Sequence, residues 1–333
     1  MSFTKDNDFD KVPVSVVTGF LGSGKTTLLN YLTAQPKMND IALIINEFGE
    51  VGLDNLLIES SIENTLLLEN GCICCSIRGD LVDTVTDLFS KVENSQIPKF
   101  KKIIIETTGL ANPGPIINSI QNENMINRKC KLSSVIALVD GVHGLTQLVK
   151  HEEVKVQISQ ADLCLVSKCD IGSTEKIAKL ERAILEINPA VSIKKISKGQ
   201  INGNFLFKKV SPTSLNIKAF DQHFHGEKNN FSHGEISSWS FVSDKEIDQV
   251  KFRNWITMLY TLRPYALLRM KGVLKFKEGG LPVLIQAVGD KVNDFEILDS
   301  WPKGLTQTRL VLIFKGLTKS TINASFSRWV LGK

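Results

Sequence analysis

The residues best suited to chemistry in this sequence are three cysteines. Of the chain's six cysteines, Cys72, Cys74 and Cys75 fall within four residues. Thiolates are soft ligands that suit Zn²⁺, Cu⁺ and similar ions. Because three thiolates are one short of a closed tetrahedral zinc site, a fourth ligand comes from elsewhere or one position stays open, as suits a protein that passes a metal on. The alternative is a group of small buried residues in a tight turn. A disulfide between the adjacent Cys74 and Cys75 would be strained.

The stretch from Gly19 to Thr27 has the residue types and spacing of a phosphate-binding loop. It fits the pattern G-x-x-x-x-G-K-[ST], with a predicted strand at 14–17 before it and a predicted helix at 25–34 after it. Its backbone N–H groups close around phosphates, Lys25 reaches the β and γ phosphates, and the Thr26 hydroxyl is the predicted Mg²⁺ ligand. The helix N-terminus places its positive dipole end at the phosphates. The predicted nucleotide-binding residues of this loop are Gly19, Gly22, Ser23, Gly24, Lys25, Thr26 and Thr27.

Two further segments follow predicted strands and complete a nucleotide site. An apolar strand ends in Glu106, which is the form of a Walker B segment and predicts a role for Glu106 near Mg²⁺ or its water shell. The segment 167–170, S-K-C-D, resembles the N-K-x-D element of GTPases, with Ser167 in the place of the usual asparagine. In that element the aspartate accepts the N1 and N2 hydrogens of guanine and the lysine packs along the base. We therefore predict that Lys168 and Asp170 hold a guanine base.

Other candidate ligands follow predicted strands at the same edge of the sheet. The acids Glu47, Glu50 and Asp54 are candidates for binding Mg²⁺, for positioning water or for supplying the fourth ligand of the cysteine site. GTP and Mg²⁺ are predicted to order their loop, as in switch GTPases. His143 follows another predicted strand and is a further candidate metal ligand.

Apolar strands alternate with helical patterns through the first two thirds of the chain. This alternation predicts an α/β fold, a P-loop NTPase with a doubly wound parallel sheet, followed by a smaller C-terminal α+β domain. The predicted organisation is a flexible N-terminus at 1–12, a nucleotide-binding domain at 13–200, a polar linker at 201–235 and the second domain at 236–333. The linker contains three of the five histidines, His223, His225 and His233. They belong either to a plain linker or to a loose secondary metal site.

The second domain is predicted to alternate strands and helices. Asp244 is the predicted cap of a helix whose apolar face carries Phe252 and Trp255. The predicted strands are 236–242, 265–276, 281–288 and 309–314, and the predicted closing helix is 318–331. This domain shows no catalytic constellation, which suits partner or substrate recognition. In the first domain, an amphipathic helix is predicted over 78–92.

Composition limits the classes of protein to which the chain can belong. Its 333 residues suffice for two domains, and its apolar content of 42% and charged content of 23% are near the average of soluble globular proteins. The net charge of +5 is mild and the lysine pairs are scattered, which predicts no nucleic-acid partner. The sequence shows neither an apolar run of about 18 residues nor a signal-peptide core. We therefore predict no membrane partner and a cytoplasmic location, where cysteines stay reduced.

Taken together, these motifs resemble the CobW-like family of metallochaperone GTPases. The segments that carry the resemblance are 19–27, 46–54, 69–75, 106–109 and 167–170, with 269–273 (R-M-K-G-V) in the second domain. The resemblance implies GTP hydrolysis with Mg²⁺ as cofactor. It also implies binding of Zn²⁺ or Co²⁺ at Cys72, Cys74 and Cys75, and Glu47 matches a candidate additional ligand. The sequence departs from the family pattern at Ser167, in its sparse linker histidines, and in lacking a Cys-Pro-Glu motif near the N-terminus.

The sequence therefore predicts a GTPase that binds a transition metal and delivers it to a client metalloenzyme. Lys25, Thr26 and Glu106 are the predicted catalytic residues. Turnover is predicted to be slow, because the loops show no obvious arginine finger or water-positioning glutamine. The alternative is a GTPase with a structural zinc site that acts through protein–protein interaction. A small-molecule kinase is disfavoured, because it would need an acceptor pocket and an arginine-bearing lid. The sequence does not specify the physiological metal, the client or the oligomeric state.

Overall fold

The computed structural model describes residues 11–35, 40–46, 58–62, 65–68, 73–76, 80–207, 235–289, 291–292, 295–302 and 305–333, with the backbone alone for 46, 58–62, 65–68, 73–76 and 291. Contacts between residues divide the chain into two compact units. The N-terminal unit comprises 1–144, 163–177 and 193–209, and the C-terminal unit comprises 145–162, 178–192 and 210–333. Part of the predicted first domain is thus grouped with the second, and the predicted domain boundaries stay predictions.

A mostly parallel sheet forms the centre of the N-terminal unit. Its strands are β1 (Val12–Gly19), β2 (Ile41–Asn46), β3 (Ile58–Ile62), β4 (Thr65–Leu68), β5 (Ile73–Ser76), β6 (Lys102–Thr107), β7 (Cys130–Asp140), β8 (Leu163–Ser167) and β9 (Ser192–Lys195). They follow the order β3-β4-β5-β2-β6-β1-β7-β8-β9. All pairs from β5 to β8 are parallel, which confirms the predicted sheet. The antiparallel pairs β3–β4 and β4–β5 extend it at one edge and were not predicted.

Helices follow most of these strands. They are α1 (Lys25–Thr33), α2 (Leu81–Glu93), α3 (Gly114–Asn122), α4 (Asn124–Lys129), α5 (Gly144–Lys150), α6 (Glu152–Gln160) and α7 (Thr174–Ile187). The prediction for α2 was early by three residues, because the Asp80 carboxylate accepts the Val82 N–H across 3.2 Å and caps the helix there. The segment Asn-Pro-Gly-Pro at 112–115 leads into α3, which has a proline in its first turn.

Apolar side chains from α1 and from neighbouring strands form one core of the N-terminal unit. The buried leucines Leu28, Leu29 and Leu32 of α1 pack in a cluster with strand residues such as Val17 and Ile104. The central strands are apolar almost throughout, which is typical of parallel sheets that are buried on both faces. This packing fixes α1 against the end of β1, and so sets the geometry of the loop between them.

An antiparallel sheet with helices forms the C-terminal unit, as the α+β prediction requires. Its elements are β10 (Ile236–Ser243), α8 (Gln249–Leu262), β11 (Leu267–Lys275), β12 (Pro282–Val288), β13 (Lys291–Val292), β14 (Glu296–Ile297), β15 (Thr308–Lys315) and α9 (Lys319–Phe326), which continues as a π-helical turn at Ser327–Leu331. The strand order is β10-β15-β11-β12-β13, with β14 paired to β12. Aromatic residues, including Trp239, Phe252, Trp255 and Phe326, fill the core beneath α8 and α9.

The predicted cap of α8 is wrong. Asp248, and not Asp244, caps this helix, because its carboxylate accepts the Lys251 N–H across 3.0 Å. The intervening Ile247 is extended, since its N–H bonds the carbonyl oxygen of Lys275 across 2.9 Å. The helix therefore begins only after Ile247, and Asp244 instead accepts a hydrogen bond from Gln307.

A buried cluster of charges lies on one face of β11. Arg269 forms an ion pair with Asp162, and its guanidinium also donates to the carbonyl oxygen of Gln160 across 2.7 Å. Lys271, two residues further along the strand, is fully buried. Among the described residues its ammonium has no hydrogen-bond partner. Burial lowers the pKa of Lys271 to about 8, with the charges of Asp162 and Arg269 acting in opposite directions.

Candidate functional site

The loop between β1 and α1 has the backbone of a phosphate-binding loop. Gly19, Gly22 and Gly24 have φ values of 148°, 71° and 97°, a region that glycine enters without strain. A Cβ added at Gly19 would lie 2.6 Å from the carbonyl oxygen of Leu138 on β7. No side chain fits there, and the backbone forms an open cradle at the N-terminus of α1.

Lys25 and Thr26 occupy the positions that the motif assigns to them. Lys25 is 6% exposed, and its ammonium donates to the carbonyl oxygens of Gly19 across 2.9 Å and Phe20 across 3.4 Å. The ammonium thus lies over the loop backbone, where it can meet phosphate oxygens. Thr26 and Thr27 are exposed in the first turn of α1, so their hydroxyls are open to a ligand.

Glu106 is the penultimate residue of β6, the strand that pairs with β1 before the phosphate-binding loop. It pairs with Val17 of β1 on one side and Ile45 of β2 on the other, and it is 3% exposed. The following Thr107 donates its hydroxyl to Thr18 across 2.8 Å. The segment 106–109 therefore runs alongside the loop, where an acid can act on the end of a triphosphate.

Gly109 closes this contact. A Cβ added at Gly109 would lie 2.9 Å from the backbone nitrogen of Leu21 in the loop, which is closer than a side chain tolerates. The predicted Glu106-Thr-Thr-Gly segment and the phosphate-binding loop are in this way packed against each other.

Ser167 joins the end of β8 to the phosphate-binding loop. Its buried hydroxyl donates to the carbonyl oxygen of Ser23 across 2.6 Å. A Cβ added at Gly24 would lie 3.7 Å from the Cβ of Ser167, so the loop passes close to Ser167 at this glycine. The residue that departs from the N-K-x-D pattern thus braces the loop directly.

The predicted base-binding residues follow Ser167 at the surface. Asp170 is exposed, and Lys168 is partly exposed with a φ of 55°. The N–H of Cys169 bonds the carbonyl oxygen of Ile196 across 3.3 Å, which joins this turn to the segment after β9. A Cβ added at Gly199 in that segment would lie 2.6 Å from the carbonyl oxygen of Thr27. The turn, the segment after β9 and the start of α1 therefore share one edge of the sheet.

Asp140 was missed by sequence reasoning, although it ends an apolar strand as Glu106 does. Its carboxylate lies 2.6 Å from the Lys168 ammonium and accepts the backbone N–H groups of Val142 and His143 across 2.8 and 3.0 Å. Burial raises the pKa of Asp140, but the hydrogen bonds from Lys168, His143 and Val142 and the Lys168 charge outweigh it, so the pKa lies below its usual value.

The cysteine motif lies partly within β5. Cys74 and Cys75 pair with Leu43 and Ile44 of β2 in parallel, and β4 pairs with β5 on the other side. The interpretation of these two cysteines as residues of a tight turn is therefore wrong. Several residues with predicted roles lie outside the part of the chain that the structure describes. They are Cys72, Glu47, Glu50, Asp54 and the linker histidines His223, His225 and His233.

His143 is distant from the cysteine strand. The sheet order places β7, which precedes His143, four strands from β5, or about 19 Å at the usual strand spacing. His143 is exposed, and its backbone N–H donates a hydrogen bond to the Asp140 carboxylate. Its metal role stays a prediction. In the described part of the chain, no group of three or more His, Cys, Asp or Glu residues is arranged to hold a metal ion.

Comparison with known families shows to which family the chain belongs. Residues 13–195 match the CobW/HypB/UreG nucleotide-binding domain, and residues 236–330 match the cobalamin synthesis protein CobW C-terminal domain. The chain belongs to the CobW/HypB/UreG family. This membership confirms the predicted resemblance and the P-loop nucleotide-binding fold.

Relatives within this family are similar over nearly the whole chain. The zinc chaperone YjiA of Escherichia coli is 31% identical, across 95% of this chain and 98% of its own length. The zinc chaperone CobW of Pseudomonas aeruginosa is 28% identical, across 94% of this chain and 90% of its own length. The crystal structure of the zinc-bound YjiA GTPase superposes with a TM-score of 0.78 at 28% identity, covering 96% of this chain and 99% of that one.

The helices in the described part of the chain bear on whether the protein crosses a membrane. None of them combines the length and the apolar composition that crossing a membrane requires. The predicted cytoplasmic location stays a prediction.

Proposed function

We propose that this protein is a GTP-hydrolysing metallochaperone, which binds Zn²⁺ at Cys72, Cys74 and Cys75 and delivers it to a client metalloenzyme. One observation carries the proposal, namely the strand order β5-β2-β6-β1. It places the strand of Cys74 and Cys75 three strands, or about 14 Å, from the strand that leads into the phosphate-binding loop. The two strands between them are β2 and β6. Strand β2 ends at Asn46, directly before Glu47 in the sequence, and β6 contains Glu106.

The phosphoryl chemistry belongs to the loop and to β6. Lys25 neutralises β and γ phosphate charge from its position over the loop, and the N–H groups at the start of α1 donate to the same oxygens. The exposed Thr26 hydroxyl fits a Mg²⁺ ligand, and Mg²⁺ bound with GTP would supply further charge at the γ phosphate. Glu106, buried beside the loop, orients water near the phosphates.

Guanine recognition belongs to the turn after β8. Asp170 is exposed, so its carboxylate is available to accept two hydrogens from the edge of guanine, which adenine does not offer in that arrangement. Lys168 packs along the base. The similarity to the YjiA GTPase supports the assignment of GTP.

The metal is the cargo of the protein. Thiolates suit Zn²⁺, and the relatives named as zinc chaperones support zinc, with Co²⁺ as the alternative ion. Glu47 is the proposed additional ligand, since it follows β2 in the sequence and β2 is hydrogen-bonded to β5. Three thiolates and one carboxylate would complete a tetrahedral site that can also release its ion.

Coupling between nucleotide and metal is the testable core of the proposal. If GTP changes the affinity for zinc by some factor, zinc must change the affinity for GTP by the same factor. The experiment is a titration of the reduced protein with Zn²⁺, and separately with Co²⁺, against a competing chelator, with and without a non-hydrolysable GTP analogue and Mg²⁺. We expect the zinc affinity to change at least about fivefold between the two states.

Two variants make this titration specific. Cys74→Ala should lower zinc affinity by about tenfold or more and abolish the dependence on nucleotide. Cys130→Ala is the matched control, because burial raises the pKa of the Cys130 thiol to about 12 and leaves it protonated, hence without a thiolate for metal. Equal loss in both variants would contradict the assignment of the site.

A structural zinc site is the second candidate function. It is favoured by the position of Cys74 and Cys75 in a strand that is paired on both sides, since such a strand holds a fixed geometry. In that case the metal affinity would be the same in both nucleotide states, and zinc would exchange slowly with the chelator in each. The protein would then act through a protein partner.

A further inference from the structure

Asp140 is a buried carboxylate that the phosphoryl chemistry does not use. Its side chain is 2% exposed and ends β7 at the edge where the nucleotide is proposed to bind. One carboxylate oxygen faces the Lys168 ammonium across 2.6 Å. The other accepts the N–H groups of Val142 and His143. The carboxylate therefore has two tasks, to shape its own loop and to hold the lysine that follows the neighbouring strand β8.

Lys168 is held in place at its backbone as well. Its φ of 55° is uncommon for a residue other than glycine and is energetically unfavourable. The surrounding contacts maintain it, since its carbonyl oxygen accepts the N–H groups of Ile171 and Gly172 across 3.3 and 3.1 Å. With the backbone in this conformation, the Lys168 ammonium contacts the Asp140 carboxylate at the end of β7.

A lysine fixed in this way is prepared for a ligand. A free lysine side chain has high rotamer entropy, part of which is lost when the side chain packs against a ligand. An ion pair that orders Lys168 beforehand removes part of that loss from binding. Asp140 is suited to this because its hydrogen bonds keep it ionised at neutral pH.

We propose that Asp140 is a positioning residue for nucleotide recognition, which fixes the Lys168 ammonium so that the lysine stem lies along the base while Asp170 accepts the edge hydrogens. This inference rests on the proposed function as a GTP-binding protein. It separates two roles in the base site. Lys168, held by Asp140, supports any purine, whereas Asp170 selects guanine.

The variant Asp140→Asn tests the proposal. It retains an oxygen for the N–H groups of Val142 and His143 and removes only the charge that holds Lys168. We expect the affinities for GTP, ITP and XTP to fall by the same factor, about tenfold, because the contact is with the face of the base. The affinity for inorganic triphosphate, which has no base, should not change.

The matched control is Asp87→Asn, which breaks an aspartate–lysine pair of 2.7 Å with Lys91 on α2. It should leave every affinity unchanged. A loss of triphosphate affinity in Asp140→Asn equal to its loss of GTP affinity would show a general disturbance of the fold and overturn the proposal. So would unchanged GTP affinity.

A double-mutant cycle tests whether Asp140 acts through Lys168. Lys168→Met should lower the affinity for GTP by about tenfold. Adding Asp140→Asn to this variant should change the affinity by less than about twofold. Independent, multiplying losses would overturn the proposal. If Asp140→Asn does not fold, Lys168→Met alone still decides, because undiminished GTP binding without this ammonium leaves nothing for Asp140 to position.

The wild-type protein separates the two levels of inference. If it binds GTP no more tightly than inorganic triphosphate, the proposed function fails and the role of Asp140 fails with it. If it binds GTP well and Asp140→Asn binds GTP equally well, only the role of Asp140 fails.

Discussion

Ser167 donates its hydroxyl hydrogen to the carbonyl oxygen of Ser23 across 2.6 Å, and so ties the end of β8 to the phosphate-binding loop. The two residues are 144 positions apart in the chain. Ser167 replaces the asparagine that the base-binding pattern of GTPases would place here. The shorter side chain reaches the loop because Gly24 brings its backbone close to β8. The residue that departs from the pattern therefore links the segment of the proposed base site to the phosphate-binding loop.

Ser167→Ala should weaken the binding of both GTP and GDP. The variant removes a buried hydrogen bond, worth about 1 kcal/mol, and leaves the Ser23 carbonyl oxygen without this donor. We expect nucleotide affinities to fall about fivefold, measured by fluorescence titration. Ser133→Ala is the matched control, since Ser133 also donates to a carbonyl oxygen, that of Phe207 across 3.1 Å, away from the site. Equal nucleotide affinities in the two variants would contradict the role of Ser167.

Asp170→Asn should change which base is preferred. An amide that donates a hydrogen no longer suits the N1 and N2 hydrogens of guanine but suits the oxygen that xanthine carries at position 2. We expect GTP affinity to fall and XTP affinity to rise, with a change of about tenfold or more in their ratio. Competition binding of the two nucleotides measures that ratio. A ratio equal to that of the wild type would exclude Asp170 from the base site.

Glu106→Gln should separate binding from hydrolysis. The substitution keeps the shape of a side chain that is 3% exposed and removes its charge beside the phosphate-binding loop. We expect kcat for GTP hydrolysis to fall by about 100-fold or more while the affinity for GTP changes little. Single-turnover hydrolysis and equilibrium binding give the two quantities. A variant with near-normal kcat would show that Glu106 does not act on the reacting phosphate.

Lys271→Met should stabilise the protein. The wild-type ammonium is fully buried, and its pKa of about 8 against 10.5 in the unfolded chain corresponds to a penalty of about 3 kcal/mol at neutral pH. Methionine has a similar length and no charge to bury. We expect the free energy of unfolding at pH 7 to rise by about 1–3 kcal/mol, measured by urea denaturation.

The pH dependence of unfolding gives an independent check on Lys271. Between pH 8 and pH 10.5 the unfolded chain keeps the proton of Lys271 while the folded chain loses it, so this lysine makes stability rise with pH across that window. The difference between Lys271→Met and the wild type should therefore shrink from pH 7 to pH 10. Lys275→Met, which removes a partly exposed lysine of the same strand, should show no such trend. A constant difference for Lys271→Met would contradict the lowered pKa.

Local patterns predicted where three segments of the proposed nucleotide site lie in the fold. The phosphate-binding loop, the acid at the end of β6 and the turn after β8 each follow a strand directly, and the structure describes each of them at that place. The helices α3 to α6 were missed, because a cluster of proline and glycine or a short apolar pattern does not distinguish a turn from the start of a helix. The cap of α8 was misplaced because a pairing of Ile247 with a distant strand delays the helix.

Long-range contacts could not be predicted in the same way. Asp140 and Lys168 are 28 residues apart, and no spacing rule links them. The hairpin of β3 and β4, which pairs with the cysteine strand, also left no clear pattern in the sequence. Such pairings depend on which strands bury each other's edges, and that is a property of the whole sheet.

The sequence by itself determined the kind of chemistry, because glycine spacing, a lysine and hydroxyl residues impose a phosphate-binding loop through local backbone geometry, and clustered cysteines imply a metal. The tertiary structure decided how these parts stand to one another. Strand order in the sheet differs from chain order, so only the folded sheet places β5 three strands from β1 and sets Asp140 against Lys168. The physical reason is that the apolar faces of all the strands must be buried together, and that requirement fixes neighbours that no local segment specifies.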